Sequence, residues 1–247
     1  MKNNTYKTAA KSALKGMWGI AIGVFFLFSI ISGLPGAIDN LWIYYAILFL
    51  IGGPLYIGYQ WFHLELIRYH NPGVSTLFSG FTQNYLRNAA TYLIVTILTL
   101  LWFLLLIVPG IIKGLAYSMT FFILRDRPEL GVFQAITESR RIMDGRKKNL
   151  FLLILSFLPW VIIPFALMLI GLIAITVGMG GNDPGLLFAG LASSLIGSLT
   201  LFGISIYLSP YFATTMAAFY DSLASIDIPE EESMPADENP SLIGPTQ

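Results

Sequence analysis

Six long apolar runs constrain this chain more than any other feature. They are Met17 to Leu34, Leu41 to about Phe62, Ala89 to Val108, Pro109 to Leu124, Leu150 to about Val177, and Leu186 to about Leu208. About 20 apolar residues are enough for a helix to cross the hydrocarbon layer of a bilayer. Helices apolar on every side have no polar face to offer water. Only 11% of the residues are charged, against about 25% in an ordinary soluble domain. The chain therefore reads as all-α: a polytopic transmembrane helical bundle of six spans occupying residues 17–224. Pro109 suits the first turn of a new helix, where a missing N–H costs nothing. Pro159 and Pro164 are natural kink points in the fifth run.

The polar segments place the charges. Residues 1–16 read as a cytoplasmic amphipathic segment, with Ala9, Ala10, Ala13 and Leu14 on one face among Lys2, Lys7, Lys11 and Lys15. A basic start before an apolar run also fits a signal peptide, but this run is long for one and no A-x-A site follows. Residues 128–145 read as a second amphipathic helix, opened by Pro128-Glu129 and ended by Gly145. Leu130, Val132, Phe133, Ile136 and Ile142 would share its face. Residues 210–223 either continue the sixth span or bend along the interface. The last stretch, 225–247, reads as a disordered acidic tail.

Of the fourteen Lys and Arg residues, thirteen fall on one side of a six-span arrangement. Lys113, near the Pro109 turn, is the exception, with Asp39 and Asp183 on its side. That asymmetry is the positive-inside pattern, so both termini are expected in the cytoplasm. It also removes any reason to invoke a nucleic-acid partner.

Chemistry-bearing residues are sparse. Cysteine is absent, and His63 and His70 lack metal-ligand spacing, so no metal or cofactor is expected. No Walker loop, nucleotide fingerprint or nucleophile elbow occurs, which argues against an enzyme. Lys113 reads either as a snorkelling anchor or as a ligand group. His63 and Glu65 read as interfacial polar residues or as a proton-carrying pair. Gln60, Ser118, Thr214 and Thr215 suit interhelical hydrogen bonds. Arg140, Arg141 and Lys147, within a larger basic cluster, suit anionic lipid head groups.

Small residues recur at close-packing spacing in Gly19/Gly23, Gly110/Gly114 and Ala189/Ser193/Gly197. They suit packing within the chain, or a homo-oligomer or another membrane-protein partner. Pro54, Pro109 and Pro210 each sit in an apolar segment that follows a surface stretch and an apolar span. This shared layout raises a three-hairpin pseudo-repeat, with the prolines as structural breaks at equivalent depth.

Leu106-Ile107-Val108-Pro109-Gly110-Ile111-Ile112-Lys113, Tyr117-Ser118-Met119 and Arg125-Asp126-Arg127-Pro128-Glu129 together resemble a bacterial integral-membrane family known as domain of unknown function 975. The likeness continues through Ala135-Ile136-Thr137-Glu138-Ser139, Met143-Asp144-Gly145, Leu150-Phe151, Pro210-Tyr211, Thr214-Thr215 and Phe219-Tyr220. The long fifth and sixth spans, the Gly-rich loop and the acidic tail depart from it. The resemblance implies a multi-helix plasma-membrane protein and supplies no activity. The expectation is a non-enzymatic membrane protein acting through partners or lipids. The alternative is a small-solute or lipid transporter built on proline-broken helices.

Overall fold

The computed structural model describes residues 3–37, 39–68 and 71–227. It is 88% helical, with no strand among the described residues, which places the chain in the all-α class. The helices are α1 (Asn3–Leu14), α2 (Trp18–Gly33), α3 (Leu41–Ile47), α4 (Gly53–Ile67), α5 (Ser79–Thr82), α6 (Tyr85–Leu105) and α7 (Ile107–Tyr117). They continue as α8 (Thr120–Asp126), α9 (Val132–Ile142), α10 (Lys147–Leu155), α11 (Leu158–Gly181) and α12 (Pro184–Asp227). Six helical stretches are long and apolar enough to cross a membrane: Trp18–Gly36, Leu41–Ile67, Tyr85–Leu105, Ile107–Asp126, Leu158–Gly181 and Pro184–Ser225.

Local chemistry sets several boundaries. The Asn40 side chain accepts from the Trp42 and Ile43 N–H groups and starts α3. Asp183 accepts from the Leu186 N–H, beside Pro184 at the first turn of α12. Gly145 and Asn182 take positive φ just beyond α9 and α11, the conformation that ends a helix. A single extended residue, Leu106, turns α6 into α7.

Two zones differ in packing. Large apolar side chains are exposed on α3, on α11, on the first half of α12 and at the α6–α7 tip, where Leu104 is 82% exposed. Buried side chains concentrate on α4, α8, the inner face of α9 and the end of α12, with Trp61, Phe62, Phe122 and Phe219 among them. α1 docks here too, through Tyr6, Ala10, Ala13 and Leu14. Its contact is with protein, and Ala9 faces out.

Several expectations change. Residues 128–145 form a shorter helix, Val132–Ile142, because its buried stripe is Ala135, Ile136, Ser139 and Ile142; Phe133 lies off that stripe and is exposed. The fifth apolar stretch breaks between α10 and α11, and Pro159 sits in the new helix's first turn. Residues 210–223 continue the sixth stretch in one 44-residue helix, with Pro210 inside it. At 1.5 Å per residue that helix is about 66 Å long, twice a hydrocarbon layer of about 30 Å. The tail expected from 225 begins later, since Ser225 to Asp227 belong to α12; residues from 228 onward and His70 lie outside the described residues.

Two contacts between the proline-bearing stretches join positions unequally spaced from their prolines. Phe121 lies far beyond Pro109, yet its carbonyl accepts from Trp61, which is only shortly beyond Pro54. Ser209, immediately before Pro210, meets Tyr59 rather than the Pro54 turn. Lys113, Gly58 and Thr214 accordingly have unlike surroundings. The α6–α7 and α11–α12 pairs pack as hairpins.

Small residues act inside these hairpins. A methyl group on Gly197 would lie 2.8 Å from the Met168 amide nitrogen, and one on Gly110 would lie 2.8 Å from the Phe103 Cα. Gly19 and Gly23 have nothing within 4 Å of an added Cβ, so that pair meets no close neighbour among the described residues.

Candidate functional site

Residues spaced i, i+4 and i+7 share a helix face, and on α4 these are Tyr56, Gln60 and His63. The Gln60 Nε2 donates to the Tyr56 hydroxyl at 2.8 Å. One turn further, His63 is fully buried, and its Nδ1 lies 2.8 Å from the Thr214 hydroxyl on α12. Thr214 spends its own proton on the Pro210 carbonyl at 2.7 Å, so it must accept from His63. That fixes the Nδ1–H tautomer and leaves the Nε2 lone pair, like the Gln60 Oε1, without a partner among the described residues.

Glu65 points elsewhere, because residues two apart do not share a face. It pairs with Arg125, whose guanidinium also lies 5.1 Å from the Trp61 ring centre. His63 and Glu65 therefore do not form a proton-carrying pair. Thr214 does bridge two helices, whereas Ser118 and Thr215 bond within their own segments.

The ends of three helices are tied by a charge cluster that sequence reasoning missed. Arg68 meets Asp126 through two parallel hydrogen bonds of 2.7 and 2.8 Å, and Asp221 at 2.8 Å. Tyr220 donates to the same Asp126 at 2.8 Å. The Asp126 bonds, chiefly, push the Arg68 pKa above its usual value, so its charge is permanent. A cavity of about 470 Å³ opens beside the cluster, lined also by Arg127 and Glu138. The available signal was that Arg68, Asp126 and Asp221 each follow an apolar stretch at its charged end.

A second cavity, about 500 Å³, lies between α7 and α9. Lys113, Arg140, Arg141 and Lys147 line it, with Thr137 and the single carboxylate Asp144. The Ser139 hydroxyl clips α9 to the Ala116 carbonyl at 2.8 Å, which brings α9 against α7. Lys113 thus joins the basic loop instead of standing apart from it. Its ammonium lies 4.8 Å from the Trp102 ring centre, Arg141 bonds Glu138, and Lys147 reaches Asp144 at 3.3 Å.

Fold and sites together define a class, an all-α bundle with six helices long and apolar enough to cross a membrane and two polar cavities at helix ends. The model of the family described as "Protein of unknown function (DUF975)" matches residues 1–113 and 93–227, and the chain belongs to that family. Searches of curated proteins and of solved structures found no match.

Proposed function

We propose that the chain is a multi-pass plasma-membrane protein with both termini in the cytoplasm, that it catalyses no reaction, and that it works by engaging anionic phospholipid head groups. The observation that supports this reading is the basic cavity between α7 and α9. Four cations and one carboxylate line it, and exposed Ile112 adjoins them. A phosphate diester seated there would meet charge-assisted donors while its acyl chains lie along apolar helix surface.

The test is lipid retention by the full chain in vesicles of phosphatidylcholine doped with phosphatidylglycerol. Lys113→Gln, Arg140→Gln and Lys147→Gln together remove about 1 kcal/mol each of surface attraction. The expected result is a loss of roughly tenfold to hundredfold in anionic-lipid enrichment, with Arg141 left to hold Glu138. Unchanged enrichment in the triple variant would reject the lipid reading.

A further inference from the structure

A third cavity, about 410 Å³, lies where α2, α4, α6, α7, α8 and α12 meet, and it shares no lining residue with the basic one. Its wall is aromatic on one side: Phe28 stacks on Tyr59 at 4.7 Å, and Tyr56 meets Phe121 edge-on at 5.4 Å. No charged side chain lines it. Most of its polar groups are already engaged. Ser118 bonds the Leu115 carbonyl, and the Tyr59 and Ser209 hydroxyls face each other at 3.2 Å.

Gln60 is different. It is 8% exposed, it lines the chamber, and its Oε1 has no hydrogen-bond partner among the described residues while its Nε2 is held by Tyr56. A buried amide oxygen is costly to leave unpaired. Ligand sites combine a mostly apolar cavity of about 300–1,000 Å³ with a few fixed polar groups. We infer that this chamber binds a small uncharged solute, flat enough to lie among the four rings, whose N–H or O–H donates to Gln60 Oε1. The absence of lining charge selects against ions, because nothing in the wall would replace their lost hydration. The site shares no residue with the lipid cavity, so either proposal can fail without the other.

The probe pair is indole, which is flat and uncharged with one N–H, and 1-methylindole, which keeps the ring and lacks the donor. Saturable binding of each is measured on the full chain in nanodiscs, with empty nanodiscs subtracted. A site built to receive a donor rejects the analogue that lacks one. Indole should bind saturably, and at least tenfold more tightly than 1-methylindole. Gln60→Met, which fills the same volume without an acceptor, should bring the two probes level. The native chain alone decides if that variant fails to fold. Equal binding of the two probes, or no saturable binding because only water fills the chamber, overturns the assignment.

Discussion

Gly58 and Gly80 hold the segment between α4 and α6 against α4 at backbone distance. A methyl group on Gly58 would collide with the Leu77 carbonyl, and one on Gly80 with the Pro54 carbonyl. Asn88 secures the same segment through the Gly80 and Gln83 carbonyls at 2.8 and 2.6 Å. Backbone cannot yield as a side-chain tip can, so Gly58→Ala should cost about 1–3 kcal/mol. Gly23→Ala, with open space around it, should be neutral or stabilising by up to about 1 kcal/mol. Thermal unfolding of both variants in one detergent checks the contrast, and equal melting temperatures would refute the close contact. Little of this was legible in the sequence. Spacing picked out Gly19 and Gly23, yet spacing alone cannot say which backbone approaches a glycine. His63 read as interfacial because the sequence left open whether residues 210–223 continue the sixth apolar stretch, and it could not show that they cover His63. Lys113 was misplaced for a similar reason, since the Ser139 clip that brings α9 to it joins residues far apart in sequence.

The element α9 shows what periodicity can and cannot deliver. Its amphipathic character and the turn at Gly145 were legible, because a 3.6-residue period and a glycine at positive φ are local properties, although the helix itself stops at Ile142. Its start was not, and Phe133 was assigned to the wrong face, because which side is buried depends on α6, α7 and α8. Glu138 anchors it across the gap to Arg127 at 2.7 Å and to Arg141 at 2.8 Å. Arg141's hydrogen bond, first of all, holds the Glu138 carboxyl below the usual carboxylate range. A depressed folded-state pKa means its contribution is complete above the unfolded value, about 4.3, and is lost as pH falls through the lower folded value. Because Arg127 and Arg141 are half exposed, about 1 kcal/mol is at stake. Hydrogen exchange of the α9 amides, corrected for intrinsic rate, should therefore show roughly fivefold less protection in acid than at neutral pH. Glu138→Gln should show the reduced protection already at neutral pH. An acid effect of the same size in that variant would assign it to another group.

At the scale of the whole molecule, the apolar runs predicted six helices and six are present, since the length and composition of a run are properties of the run itself. Their arrangement was less legible: the charge clamp at Arg68 unites Asp126 and Asp221 from two distant segments, and no local pattern marks that meeting. The proposed orientation rests on charge. Lys113 lines one cavity with Arg140 and Arg141, and the positive-inside pattern of the other thirteen basic residues is the ground for expecting the α9 side to be cytoplasmic. The α11–α12 turn instead carries Asn182 and Asp183, and the turn before α3 carries Asp39 and Asn40. The chain has no cysteine, so single cysteines report without background. In intact cells, Asp39→Cys and Asp183→Cys should react with a membrane-impermeant thiol reagent. Arg141→Cys and Lys113→Cys should react only after the membrane is opened. Labelling of Arg141→Cys from outside would invert the orientation. Labelling of Lys113→Cys alone would separate it from Arg140 and Arg141 and dissolve the basic cavity on which the lipid reading stands.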